Sequence, residues 1–532
     1  MGVLGTKVER DSEAFARNRE GMLELLAGLE AELERTRAGG GECYVERHRK
    51  RGKLLPRERI ELLLDRDAPF LELMPFAAWH TDFQVGGSVV AGIGVVEGVE
   101  CMLVANDPTI RGGAANPSTW RKVFRALDIA HENRLPTISL VESGGADLPN
   151  QAELFVPGGQ HFRALTRLSA AHIPTIGLVF GNSTAGGAYI PAMCDYTVFV
   201  KDRAKVFLGG PPLVKMATGE VSDDEELGGA EMHARVSGLA DYMARDEHDA
   251  LRLGRQIVRR LNWRKLGPGP SEPADEPGHD PEDLVGLVSV DVRQAYDPRE
   301  VIARVADGSR FDEFKPLYGT SLVTGWASIN GFPVGMLANA RGVLFSEESH
   351  KAAQFIQLAN KVDTPLVFVQ NTTGYMVGRE YEQGGIIKDG AKMINAVANS
   401  TVPHLTLMAG ASYGAGNYGM SGRAYQPRFV IAWPHYRSAV MGGQQLAGVM
   451  SIVARASARD RGLEYDEERD RALREQIETQ IESESRALEN SGRLYDDGII
   501  DPRDTRAVLG IALSACHSQV VQGTDRFGVF RI

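Results

Sequence analysis

Apolar residues alternate with small or polar ones from Gly86 to Asn106. Val89, Val90, Ile93, Val95 and Val96 precede Glu97-Gly98, and Met102, Leu103 and Val104 follow it. This period of two predicts a pair of strands joined by a tight turn. The pattern returns over Leu322 to Ile329, with a turn at Asn330-Gly331 and a second strand from Val334 to Leu337. The spacing then becomes helical over Ser118 to Asn133 and Ser349 to Val362, each run opening on a serine suited to cap it. After each helix the sequence predicts a proline-led strand, a glycine turn, another helix, another proline-led strand and a second glycine turn. Alternating strand and helix implies parallel strands joined by right-handed crossovers, an α/β fold. Leu23, Leu25, Leu26, Leu29 and Leu33 put one amphipathic helix over Glu13 to Arg37. A long charge-rich helix is expected from Ala456 to Asn490, ahead of the turn at Asp496-Asp497-Gly498.

The two patterned regions share one register. Lys122 lies 14 residues before Pro136, and Lys351 lies 14 residues before Pro365. A glycine follows each proline by nine residues (Gly145, Gly374), and a further proline comes 38 residues after the first (Pro174, Pro403). Twelve residues on sit Gly186-Gly187 in one region and Ala415-Gly416 in the other. A shared register of this length points to a duplicated unit with two related ligand sites.

At 532 residues the chain exceeds one ordinary core, and two domains are expected. Gly267 to Pro281, rich in proline, glycine and acids, is the best boundary. A net charge of −11 argues against nucleic-acid binding across the surface. No apolar run is long enough for a membrane span, and the charged stretch Met1 to Glu20 does not read as a secretory signal. Cys43, Cys101, Cys194 and Cys516 are widely spaced, which fits a reduced, cytoplasmic complement and no zinc site.

Ligands of α/β units bind beyond the carboxyl ends of strands. Gly145 and Gly186-Gly187 occupy such ends in the first copy, and Gly374 and Ala415-Gly416 in the second. Backbone N–H groups there can converge on an oxygen that becomes negative, forming an oxyanion hole. The competing reading is that these small residues only permit tight turns. Gly410-Ala411-Ser412-Tyr413-Gly414 also matches the nucleophile elbow of serine hydrolases, with His435 and His517 as the only later histidines. Gly414 to Gly419 matches a dinucleotide fingerprint, but no acid follows before Asp460. His172, His233, His248 and His404 show no metal spacing. Glu142 and Glu153 flank the first turn as possible bases, against the blander reading of solvated loop acids.

At these turns the chain resembles the carboxyltransferase (β) subunit of biotin-dependent acyl-CoA carboxylases, within the crotonase superfamily. The resemblance covers residues 20–532. It rests on Glu142 to Ala146, Gly181 to Met193, Phe207 to Glu220, Asn371 to Glu382, Lys388 to Lys392, Ser412 to Met420 and Trp433-Pro434. Gly378 to Glu382, Ser412 to Met420 and Gly422 to Arg428 look most like methylcrotonoyl-CoA carboxylase.

The resemblance implies two tandem crotonase-like (ClpP/crotonase superfamily) domains, each a ββα-repeat spiral: 1–270 on the acyl-CoA side, a linker at 271–282, and 283–532 on the biotin side. It implies carboxyl transfer from carboxybiotin to an acyl-CoA through an enolate, with 3-methylcrotonoyl-CoA first, and with it a place in leucine degradation. Acetyl-, propionyl- or geranyl-CoA come next. Gly145, Gly186 and Gly187 would stabilise the thioester enolate. Gly374, Ala415 and Gly416 would hold the ureido oxygen of biotin, with Gly144, Ala146 and Gly414 lining the substrate. Such family members form homohexamers with active sites between subunits. This sequence has no Ala-Met-Lys-Met biotinylation motif, so a separate biotin-bearing α subunit is implied, and no metal. Asp147 to Gly159 and Ala338 to Phe345 depart from the methylcrotonoyl-type pattern, which bears on acyl preference.

Overall fold

The computed structural model describes residues 2–532. One sheet runs, in spatial order, Phe70–Leu73, Val89–Val96, Val99–Asn106, Thr137–Ser143, Thr175–Thr184, Tyr196–Val200 and Tyr242–Ala244. A second runs Gly2–Val3, Arg310–Glu313, Leu322–Ile329, Phe332–Asn339, Leu366–Thr372, His404–Tyr413, Phe429–Ala432 and Gly498–Ile499. In each, the strands up to and including the hairpin are antiparallel and those beyond it are parallel. The expected hairpins form, turning on Glu97-Gly98 (φ 51° and 74°) and Asn330-Gly331 (φ 49° and 79°). Two consecutive left-handed residues match the right-handed twist of the flanking strands.

Two helix starts differ from expectation. The first helix is Pro117–Glu132, capped by Asn116, whose side chain accepts from Thr119 N–H at 2.9 Å, and not by Ser118. Its counterpart is Ser346–Lys361, where the Glu348 carboxylate accepts from Phe345 N–H. Both starts fall upstream of the serines because a better acceptor lies there. The charge-rich segment is not one helix. It forms Gly443–Asp460, Glu467–Glu484 and Ala487–Gly492, with the first break at Gly462 (φ 65°). Glu13–Arg37 is helical as expected, buries Met22 and Leu29, and packs on Leu284–Leu287.

The repeated lysines are structural. Lys122 Nζ donates to Gly86 O (3.2 Å), and Lys351 Nζ to Leu322 O (2.7 Å). Each ties its helix to the entry of its own hairpin, and burial lowers the Lys122 pKa to about 8. The stretch 267–280 carries no helix or strand. One hydrophobic core spans both halves, from Met22, Leu73 and Ile93 to Ile329, Val367 and Leu513.

Candidate active site

The parallel strands Thr137–Ser143 and Thr175–Thr184 keep register up to Val141↔Val179 and then slip, so that Ser143 meets Ser183. Leu366–Thr372 and His404–Tyr413 slip identically, from Gln370↔Met408 to Thr372↔Ser412. In each half the second strand carries the extra residues across the slip, an irregularity of the kind over-represented beside sites. Beyond it, Gly145 stands at φ 92° and Gly374 at φ 121°. A Cβ on Gly145 would lie 2.9 Å from Thr184 O, and one on Gly416 would lie 2.9 Å from Gly374 Cα. The fold thus brings the two sequence-predicted turns of each half together, Gly145 against the segment before Gly186-Gly187 and Gly374 against Ala415-Gly416. Gly414 (φ 53°) and its counterpart Ala185 (φ 54°) open the second turns in left-handed geometry.

Gly186 and Gly187 lie in a 3-10 turn, Ala185–Ala188, that leads into the short helix Tyr189–Ala192, and Ala415 and Gly416 lie in the first turn of Gly414–Gly419. N–H groups at helix starts have no intrahelical acceptor and are available to a guest. The N–H groups of Gly145 and Gly374, expected to act as donors, meet a competing acceptor. Gly145 N–H donates to Ser143 Oγ at 3.1 Å, and Gly374 N–H to Thr372 Oγ1 at 3.2 Å. The same hydroxyls donate onward to Gly113 O (2.8 Å) and Gly342 O (3.1 Å). Gly144 N–H is also engaged, by Gly112 O at 2.8 Å. These hydroxyls fix the turn, and Ala146 borders the same cleft one residue further on.

That cleft encloses about 710 Å³ including its open mouth, and Gly145, Ala146, Gly186 and Gly187 form part of its wall. Leu154, Gly158, His161 and Phe162 line it from one face of the helix Gln151–Ala170. Trp120, Val123 and Ile190 complete an apolar wall.

Glu142 is neither a solvated acid nor a free base. Its carboxylate accepts from Lys53 Nζ and from Arg59 Nη2 (2.8 Å), and Arg59 also pairs with Glu247 at 2.9 Å. Burial opposes the charge, but Arg59 and Lys53 outweigh it and hold the carboxyl below its ordinary range. Asn371 takes this place in the second half, its Oδ1 accepting from Ala411 N–H at 3.0 Å. Nothing in the sequence pairs Lys53, Arg59 and Glu247 with Glu142, since they come from separate segments. Glu153 is exposed.

The elbow reading fails on geometry. Ser412 is fully buried, donates to Gln370 Oε1 (2.6 Å) and accepts from Asn417 Nδ2 (2.7 Å). His517 bonds Leu513 O and packs on Phe332, and its ring makes no contact with Ser412. Gly419 of the dinucleotide fingerprint is required by packing, because a side chain there would strike the Tyr375 hydroxyl. His404 is held by Ser400 and Ser421, and His233 by Val206 O and Ser237.

Two mixed sheets in tandem, each ending in paired small-residue turns, define a crotonase-like fold. The family model described as carboxyl transferase domain matches residues 47–529. The chain belongs to that family, as a β-type carboxyltransferase subunit of the acyl-CoA carboxylases. It is 65% identical over 530 residues, covering 100% of both chains, to a probable biotin-dependent acyl-coenzyme A carboxylase beta2 subunit of Mycobacterium tuberculosis (strain ATCC 25618 / H37Rv). It is 46% identical over 541 residues to the mitochondrial methylcrotonoyl-CoA carboxylase beta chain of Dictyostelium discoideum, covering 100% of this chain and 92% of that one. The crystal structure of the P. aeruginosa geranyl-CoA carboxylase beta subunit matches with TM-score 0.91 at 44% identity, over 99% of each chain.

Proposed function

We propose that this subunit transfers a carboxyl group from carboxybiotin, borne by a partner α subunit, to the enolate of an acyl-CoA. The observation that carries this reading is the duplicated turn geometry, with the apolar cleft at the first turn. Gly186 and Gly187 N–H groups, with Ala146 beside them, face the thioester oxygen and stabilise it as it becomes negative. A well-placed donor of this kind lowers the barrier by about 3 kcal/mol. Ser143 holds Gly145 in the left-handed conformation that keeps the turn open.

The second turn fits a flat polar ring. A Cβ on Gly374 would meet only Tyr413 O, at 3.8 Å, so that face of the backbone is open to a guest. Biotin, when bound there, supplies both the carboxyl group and the base. Ala415 and Gly416 would hold its ureido oxygen, with Gly414 shaping the approach. Glu142 is committed to Arg59 and Lys53, and the cleft lining holds no aspartate or glutamate, which accords with that division of labour.

3-Methylcrotonoyl-CoA is the first candidate substrate, supported by the 46% identity to a methylcrotonoyl-CoA carboxylase beta chain, with geranyl-CoA next on the structural match. Acetyl- and propionyl-CoA are the remaining alternatives. A homohexamer with each site shared between subunits would cover apolar residues exposed beside both turns: Leu148, Phe155 and Val156 near the first, and Val440, whose carbonyl borders Gly414, at the second. We place its action in the cytoplasm.

The test is a panel of these acyl-CoAs with labelled bicarbonate, ATP and the cognate biotinylated subunit. Label should enter an acyl-CoA, and Ser412→Ala should keep most of that activity. A total absence of incorporation across the panel, or thioester cleavage lost with Ser412, would sink the reading.

A further inference from the structure

Trp120, on the helix Pro117–Glu132, and His161, on Gln151–Ala170, meet in the wall of the acyl cleft with ring centroids 4.9 Å apart. Trp120 Nε1 and His161 Nδ1 are both buried and have no hydrogen-bond partner. His161 itself is only 5% exposed. Buried polar atoms of native proteins are nearly always paired, so two orphans on one cleft call for a guest. The pair lies close to the first turn: Phe162, next along from His161, lies 3.6 Å from where a Cβ on Gly186 would stand.

The surroundings define the guest. None of the residues lining the cleft is an aspartate, glutamate, lysine or arginine. Burial pushes the His161 pKa down to about 4, so the ring is neutral near pH 7. An indole N–H only donates, and a neutral imidazole nitrogen donates or accepts according to its tautomer. A hydroxyl satisfies both atoms in either tautomer, and a carbonyl oxygen satisfies two donors. A carboxylate would enter an uncharged apolar wall with no cation to meet it. Of the other hydroxyls of the wall, Thr119 is committed to Ser88 and Ser143 to Gly113 and Gly145, while Ser139 adds one more neutral hydroxyl to the lining.

We propose that Trp120 and His161 form a polar subsite that selects acyl groups bearing a neutral oxygen, hydroxyl or carbonyl, beyond the thioester. The inference rests on the acyl-CoA reading of this cleft and narrows its substrate class. An all-hydrocarbon chain filling the same wall would leave both nitrogens unpaired. Sites that hydrogen-bond a substrate group discriminate strongly against analogues lacking it.

The test is calorimetric binding of matched pairs to the intact subunit: 3-methylcrotonoyl-CoA against its 4-hydroxy derivative, and butanoyl-CoA against 3-hydroxybutanoyl- and 3-oxobutanoyl-CoA. At least one oxygenated member should bind on the order of tenfold more tightly than its parent. His161→Leu and Trp120→Phe should each bring that ratio towards one. Because a ratio is read, any loss common to both ligands cancels, and the wild-type ratio needs no variant at all. Parents that bind as tightly as every oxygenated partner would show that water serves the two nitrogens, and would overturn the proposal. So would a ratio untouched by both substitutions. If no acyl-CoA binds, the carboxyltransferase reading of the cleft falls with it; if the parents bind and only the preference is missing, this inference alone falls.

Discussion

Asp496 is a buried carboxyl with only hydroxyl partners, Ser491 at 2.9 Å and Tyr436 at 3.0 Å. Burial, with the charge of Asp497 beside it, raises its pKa from 3.8 to about 7. The folded state therefore holds a proton between about pH 4 and 7 that the unfolded state has released. Its stabilising contribution is complete below pH 4 and is lost as pH rises towards 7, at about 1.4 kcal/mol per pH unit. Asp496→Asn should remove this decline, which urea unfolding from pH 4 to 8 would reveal as a flatter profile than wild type. Parallel profiles would show that Asp496 is not the titrating group. Residue-scale features of this kind were illegible in the sequence. Asp496-Asp497 read only as a turn, and Glu142 as a loop acid, because burial and long-range partners decide their charge.

The glycine turns, by contrast, were legible as elements, since a left-handed or closely approached backbone leaves few residue choices. The structure separates their tolerances. A Cβ on Gly187 would meet Ser183 Oγ at 3.5 Å and Ser143 O at 3.6 Å, ordinary contacts, whereas a Cβ on Gly416 would press on Gly374 Cα and Thr372 Oγ1, both at 2.9 Å. Gly187→Ala should fold with wild-type stability, while Gly416→Ala should lose about 1–3 kcal/mol. Thermal unfolding of both variants checks this, and equal losses would refute the asymmetry. Strand hairpins were equally readable because period-2 alternation and the Asn-Gly or Glu-Gly turn agree. The helix starts at Asn116 and Phe345 were missed, since any of several neighbouring polar residues could have served as cap. The break at Gly462 was missed because one glycine in a polar helical run is weak punctuation.

Across the whole molecule, Arg125 of the first half reaches into the second. Its guanidinium donates to both oxygens of Asp497 at 2.8 Å and to Pro427 O and Arg428 O, in a site where Asp497 is fully buried. Arg423 also pairs with Asp497 (2.8 Å), and Val430 N–H donates to it (2.8 Å). Arg125→Met should cost on the order of 3 kcal/mol, because it strips a partner from a buried carboxylate. Guanidinium unfolding measures the loss, and adding Asp497→Asn should recover part of it. A loss under about 1 kcal/mol would mean that Arg423 alone suffices. Such contacts, and the core shared by both halves, could not be read from two repeats considered one at a time. Repetition reveals a unit but carries no record of how its copies dock.

The strand Gly2–Val3 closes the edge of the second sheet by pairing with Phe311 and Arg310. During synthesis the chain emerges from its amino end at about 5–20 residues per second. The first sheet can close once Ala244 is out, while Gly2–Val3 and the helix Glu13–Arg37 still await partners some 270 to 310 residues downstream. For some seconds the nascent molecule therefore carries a closed first sheet, whose shared core is still uncovered, and an amphipathic helix without its downstream partner, and that interval is when a chaperone has most to hold.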